Sequence, residues 1–342
     1  MIELQDLVRF YNWNSTHVDM KKCEELKNKG LLNIKKHILH PIYLLDYTPK
    51  TQYHQLWCKE LIHARGLVVA QDGEILARPL PKFFNHYEID GFEELHDKDY
   101  EVYKKMDGSL AILFHYNDLP IFCTRGSFCS DQALKAEEIY KLKYKDVEVK
   151  KECTYCFEVI YPENRIVVDY NTLEDLFLIS ITHTKSGKEM NIDQAGFLSV
   201  RKFDTNEVLF NEWLNHDVYN EEGYVIKIGS LRVKVKFLNY VNKHKVKNLS
   251  VEQIKKCFKQ KGHVNLEDIP DECYDEIKSV ITKLENQCKD KENECLREYE
   301  NILKQNSITS DVIDAIKGSK HRSILFAIHN KKSYKALILK ML

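Results

Sequence analysis

Between residue 66 and about residue 237 the chain alternates apolar and polar residues over short runs, broken by turn-forming pairs, and this pattern constrains the fold more than any other feature. A period of two marks strands with one buried face. Turns are expected at Gln71-Asp72-Gly73, Asp107-Gly108, Asn117-Asp118 and Gly229-Ser230, so neighbouring strands run antiparallel. The run LRVKVKF shows the pattern at its clearest, with Arg232, Lys234 and Lys236 on one face and Val233, Val235 and Phe237 on the other. Like charges side by side on such a strand are costly unless an anion lies between them, and a polyphosphate is the natural partner. Helices are expected over SDQALKAEEIYKLKY, capped by Ser130 or Asp131, and near DQAGFLSVRKF. The first sixty or so residues mix short helical signals, CEELKNKGLLNIKKHIL among them, with aromatic-rich loops.

Beyond Lys245 the texture turns helical. SVEQIKKCFKQKG begins at a Ser250 cap and stops at Gly262, and a long amphipathic helix follows Pro270. Its stripe of Tyr274, Ile277, Ile281, Leu284, Cys288, Cys295, Tyr299 and Ile302 is core packing. The 342 residues therefore divide into an α+β domain, 1–245, and a small all-α domain, 246–342. With 51 Lys+Arg against 52 Asp+Glu the net charge is −1, so any nucleic acid must meet a local patch. No Asp or Glu follows Asp314, whereas Lys317, Lys320, Arg322, Lys331, Lys332, Lys335 and Lys340 do, as a solvated helix face or an RNA contact. No run is apolar enough for a membrane span or a signal peptide, and ten scattered cysteines suit a reducing compartment, so an intracellular protein, cytoplasmic or nuclear, is expected. Cys153, Cys156, Cys123 and Cys129 are read as core cysteines rather than a zinc site.

The stretch YKKMDGSLAIL places Lys105 two residues before Asp107-Gly108. A lysine there reads either as part of an ordinary hairpin or as an amine presented to a phosphate. For attack its pKa must fall by about 3, roughly 4 kcal/mol of differential interaction. Arg65, Lys82, Arg125, Lys234 and Lys236 are the cations expected to supply it. Glu158 lies in the apolar run CFEVIYPENRIV, and Glu221-Glu222 precede Gly223 in EEGYVIKI.

In order and spacing, KMDGSL, FEVIYPENRIV, LFLIS, EEGYVIK and VKVKF resemble the five nucleotidyltransferase motifs of the ligases and capping enzymes. HARGLVVAQDGEILARPLPKFFN, TRGSFCSDQAL and the helical segment with IPDECYDEIK extend the likeness to the T-even phage RNA ligase 1 family. This resemblance implies an antiparallel-sheet nucleotidyltransferase domain of ATP-grasp-like ligase type, followed by helices that select RNA. It implies that Lys105 attacks the α-phosphate of ATP to give lysyl-AMP, that Lys234 and Lys236 stabilise the transition state, and that AMP then passes to an RNA 5′-phosphate before a 3′-hydroxyl displaces it. It assigns nucleotide contacts to Arg65, Lys82, Phe84, Asp107, Gly108, Arg125, Glu158, Phe177 and Gly223. Glu158 takes the ribose, with an ion pair to Arg165 as the competing assignment, and Phe177 is an adenine-stacking ring or a core residue. Gly108 and Gly223 let the backbone approach the nucleotide. Glu222, assisted by Glu221, holds Mg²⁺, with Mn²⁺ as a substitute. Arg125 stands where the phage enzyme has Lys, which keeps the charge and changes the donor geometry.

The expected substrate is RNA with 5′-phosphate and 3′-hydroxyl ends, such as a nicked tRNA, in RNA repair or splicing. No GxxxxGK[ST] motif is present, so end-healing by a kinase or phosphatase is expected from another protein. The oligomeric state is not written in the sequence, and a monomer is the default. A capping guanylyltransferase and an inactive RNA-binding relative are the alternatives. The first would normally append a barrel after VKVKF, where this chain turns helical.

Overall fold

The computed structural model describes residues 1–193, 195–205, 210–247, 251–264, 274–306 and 308–341. Ser250 and the whole of IPDEC, residues 269–273 with Pro270, lie outside the described residues. The chain forms two compact units, Met1–His244 and Lys245–Leu342. The first is mixed α+β with mainly antiparallel sheets, and the second is helical. Among the described residues no helix is long and apolar enough to cross a membrane.

Three sheets organise the first unit. One places Glu101–Lys105, Gly223–Ile228 and Leu231–Lys236 side by side, edged by the short Lys202–Phe203 and Phe84–Asn85 strands. A second runs Leu119–Thr124, Ser109–Tyr116, Cys153–Ile160, Asp175–His183 and Glu189–Met190. A third joins Leu32–Lys36, Ile42–Tyr47, Arg65–Ala70 and Ile75–Ala77. The alternation of LRVKVKF holds: Val233, Val235 and Phe237 are buried in one core with Val102, Tyr224 and Ile226, and the charged residues lie on the other face. The second sheet buries Ala111, Leu113, Phe157 and Leu178 with Ala136 and Ile139 of the Asp131–Lys143 helix. Ile112, Phe114, Cys123 and Cys156 on its opposite face pack with Ile42, Leu44 and Val68 of the third sheet. Cys153 and Cys156 therefore face different cores and cannot converge on one ion.

The turns at Gln71-Asp72-Gly73, Asn117-Asp118 and Gly229-Ser230 join antiparallel neighbours, but Asp107-Gly108 does not. The strand before it pairs within the first sheet and the strand after it within the second, so residues 106–108 form a corner between sheets. A Cβ on Gly108 would lie 2.5 Å from Val159 O and from Ile160 Cδ1, so the backbone is pressed against the neighbouring strand. The Asp107 carboxylate fixes the corner by accepting the N–H groups of Val167 (2.8 Å) and Val168 (2.7 Å) and the hydroxyl of Tyr240 (2.7 Å). The close approach that glycine permits here is to the protein's own backbone.

Two further expectations are corrected. DQAGFLSVRKF forms no helix among its described residues: Leu198 O and Val200 N both bond Leu178, and Lys202–Phe203 becomes a strand. Backbone groups committed to a sheet cannot also close helical turns. In the first sixty residues the Met20–Asn28 helix ends before Gly30, whose φ of +71° reverses the chain into the Leu32–Lys36 strand. Ser130 caps the Asp131–Lys143 helix by accepting from Ala133 N at 3.3 Å.

In the second unit the Tyr274–Gln305 helix buries Ile277, Leu284 and Cys295 along its stripe. Val312 and Ile316 of Thr309–Gly318 and Ile324 and Leu325 of Arg322–His329 share a core with Cys295. Gly262, with φ of +74°, follows the end of the Val251–Lys261 helix.

Candidate active site

Strand register brings the chemistry together. Lys105, Gly223 and Lys236 lie opposite one another across three strands, so two lysines flank a residue without a side chain. A Cβ on Gly223 would sit 2.0 Å from Val235 O, and its φ of +148° is itself disfavoured for other residues. The same rows carry Tyr103, Val225 and Lys234 next, then Glu101, Lys227 and Arg232. Lys104 points to the opposite face, where its amine meets Glu221 at 2.7 Å. Pleating thus separates the two adjacent lysines.

Glu222 is buried and holds both lysines of the row: Oε2 accepts from Lys105 Nζ at 2.8 Å, and Oε1 lies 3.3 Å from Lys236 Nζ. The sequence places Lys105 among cations, and the side chain bonded to its amine is a carboxylate. Glu221, the expected assistant of Glu222, has its carboxylate engaged by Lys104 on the other face. Lys236 also lies over the Tyr240 ring, 5.3 Å from its centroid, and Lys234 over Phe83 at 5.9 Å.

Glu158 reaches the same place from the second sheet. Its Oε1 accepts Gly108 N–H at 3.0 Å, and burial pushes its carboxyl up to about 7 against the pull of Lys105 and Arg65 and with a push from Glu222. Arg165 is paired with Asp169 at 2.8 Å, as its competing assignment to Glu158 did not anticipate. Phe177 stands beside Glu158 in register, half-buried against the cluster of Met106, Ile160 and Val200.

Arg65 and Arg125 form a third group around a residue that sequence reasoning missed. Asp46 lies opposite Arg65 in the third sheet and 3.1 Å from Arg125 Nε, and burial raises its carboxyl to about 6 while Arg125 and Arg65 lower it. Arg125 also donates to Tyr47 OH at 3.2 Å and lies over its ring. The available signal was an acid inside the apolar run IYLLDY. Lys82 is buried, with its amine 5.2 Å from the Phe84 ring centroid and 5.9 Å from those of Tyr47 and Trp57. Phe84, expected to contact the nucleotide, is 0% exposed in the first core, with its ring against the Lys82 amine and edge-on to Trp57.

The fold and this centre define an α+β protein in which a lysine–carboxylate–lysine row meets a second buried carboxylate at a corner between two sheets. The family model described as RNA ligase of the T4 type matches residues 63–249, and the chain belongs to that family. It is 25% identical over 257 residues to an Autographa californica nuclear polyhedrosis virus protein named as a bifunctional polynucleotide kinase/RNA ligase, covering 65% of this chain and 36% of the relative. It is 29% identical over 178 residues to a protein named as an RNA ligase from Thermovibrio ammonificans, covering 48% of this chain and 46% of that one. The chain thus spans less than half the length of these curated relatives. Among solved structures, a Naegleria gruberi RNA ligase with PPi aligns at 19% identity and a TM-score of 0.35, over 45% of this chain and 54% of that one.

Proposed function

We propose that this chain is an ATP-dependent RNA ligase whose 1–245 region is an ATP-grasp-like nucleotidyltransferase and whose helical 246–342 region selects the RNA. The observation that carries the proposal is the row Lys105–Gly223–Lys236 closed by Glu222, because it presents one amine beside a gap with a second cation across it. In the first step Lys105 Nζ, having lost its proton along the hydrogen bond to Glu222, attacks the α-phosphorus of ATP. The new N–P bond forms as the bond to pyrophosphate breaks, and pyrophosphate leaves. Lys234 and Lys236 neutralise the α-phosphate oxygens, and Arg65, Arg125 and Lys82 take the leaving phosphates. Glu158 accepts from the ribose and Phe177 lies against the adenine, with Asp107, Gly108 and Gly223 setting the backbone around them. Phe84 acts through Lys82.

Glu222 suits a hard divalent cation, Mg²⁺ or Mn²⁺, because its buried carboxylate stands beside Lys105. Such an ion would supply positive charge beside the reacting phosphate. Two further displacements at phosphorus follow in the same pocket. The RNA 5′-phosphate takes AMP from Lys105, and a 3′-hydroxyl then attacks that phosphorus with release of AMP. RNA repair, with nicked tRNA as the leading substrate and a kinase and phosphatase preparing the ends, is the setting we propose.

The test is incubation with α-labelled ATP or GTP and Mg²⁺, followed by peptide mass spectrometry. An AMP adduct on Lys105, absent in Lys105→Ala, is expected. Label from GTP would indicate capping chemistry, and no label a binding module. Ligation of 5′-phosphorylated single-stranded RNA, a nicked duplex and a nicked tRNA then ranks the substrates.

A further inference from the structure

The hairpin between the Leu32–Lys36 and Ile42–Tyr47 strands ends in Ile38 and Leu39, which are 85% and 81% exposed. Two such aliphatic residues at a tip cost solubility, and a loose turn would fold them back. This turn is built to hold them out. His37 Nδ1 accepts the N–H groups of Leu39 (3.1 Å) and His40 (3.2 Å), and His37 N–H bonds Ile42 O at 2.9 Å. The His37 ring stacks on His40 at 4.9 Å and meets Phe128 edge-on at 4.8 Å, while His40 leans on Tyr116 at 5.2 Å.

Charge indicates what it meets. No Asp or Glu occurs from residue 26 to residue 45, and Lys35 and Lys36 stand exposed just before the turn. Lys35 reaches Gly126 O at 2.6 Å, next to Arg125, and its charge acts on Asp46. The tip is therefore continuous with the cation cluster of Arg125 and Arg65. A pair of cations beside a pair of exposed aliphatic side chains fits a nucleic acid strand, whose phosphates take the lysines and whose bases and sugars take the aliphatic faces.

We propose that residues 35–41 are a docking surface for the RNA strand that enters or leaves the Lys105 site, with Ile38 and Leu39 against base or sugar faces and Lys35 and Lys36 on phosphates. The proposal rests on the ligase reading above. The experiment uses the full chain with the double substitution Ile38→Ser, Leu39→Ser and, separately, Lys36→Ala. Affinity for a short 5′-phosphorylated single-stranded RNA is measured by fluorescence anisotropy over a salt series, alongside Lys105 adenylylation without RNA.

The double variant should bind RNA on the order of 5- to 10-fold more weakly. Lys36→Ala should flatten the dependence of log affinity on log salt by about 0.7. Adenylylation should be unchanged in both. Unaltered RNA affinity and salt slope would overturn the proposal, and loss of self-association by the double variant in sedimentation would then assign the tip to a protein contact. If the parent chain forms no lysyl-adenylate while tip substitutions still weaken RNA binding, the RNA surface stands and the ligase reading fails.

Discussion

In the 1–244 unit, Lys105, Glu222 and Lys236 meet with side chains 19%, 4% and 12% exposed, on three separate segments of chain. In the 245–342 unit, the ion pair Lys317–Asp314 lies one helical turn apart on open surface. The first arrangement takes charges out of water and is weak evidence of stabilisation by itself. The second lets water do most of the solvating and contributes little. A costly arrangement of the first kind is where the proposed chemistry would lie, and a solvated helix face is not.

The sharpest way to break the comparison is to move one position along the strand. On the proposed reading Lys105→Ala removes the nucleophile, so lysyl-adenylate formation and RNA joining should fall by at least about 10⁴-fold. Lys104→Ala, which removes an equally close ion pair on the other face, should leave both within about threefold. Equal losses from the two substitutions, measured by labelled-ATP transfer, would mean that the row opposite Gly223 is not the reacting one.

Glu222→Gln comes next. It leaves Lys105 and Lys236 facing each other without the carboxylate that holds both. Adenylylation should fall about 10²- to 10³-fold, and the unit should lose about 3 kcal/mol against urea. A stability loss without a kinetic one would make the row an ordinary structural network.

Glu158 gives a pH-dependent test. Burial pushes its carboxyl from the ordinary value near 4.5 up to about 7, so the folded chain holds the proton more tightly. Stability from this source is fully present below that lower value and declines as pH rises through 7, by at most about 3 kcal/mol. Glu158→Gln removes the decline, so its stability relative to the parent should rise between about pH 5 and pH 8. A difference that is flat with pH in urea titrations would show that the carboxylate is solvated. Asp46, raised to about 6 by burial, has the same sign and overlaps the window, so the comparison is made within one Asp46 background.

Much of this site was legible as alternation. Arg232, Lys234 and Lys236 share a face because side chains alternate in any strand, and Lys105 parts from Lys104 for the same reason. The corner at Asp107-Gly108 was not legible as a corner. A turn signal specifies local backbone, whereas the choice of sheet for the next strand is made by non-local pairing of Ser109–Tyr116 with Cys153–Ile160. Asp46 escaped notice because one acid in an apolar run has no period, and its partners come from a neighbouring strand, Arg65, and from the loop after Leu119–Thr124, Arg125. DQAGFLSVRKF read as helix because propensity is local, and tertiary pairing with Leu178 overrode it.

The smallest expected effect belongs to the helical unit and tests the other side of the comparison. Asp314 and Lys317 are 73% and 62% exposed and sit three residues apart on the Thr309–Gly318 helix, their charged atoms 2.8 Å apart. At that exposure the attraction is screened by water and salt, and two long side chains lose freedom to hold one geometry. Asp314→Asn should therefore change stability by less than about 1 kcal/mol and leave adenylylation untouched. Any effect should surface only with RNA, since Asp314 is the last acid before the run of seven basic residues from Lys317 to Lys340. Removing that acid makes the run more positive, so RNA affinity should rise by up to about twofold at low salt and return to the parent value at high salt. A gain that persists at high salt would place Asp314 inside a specific contact and blur the distinction between the two units.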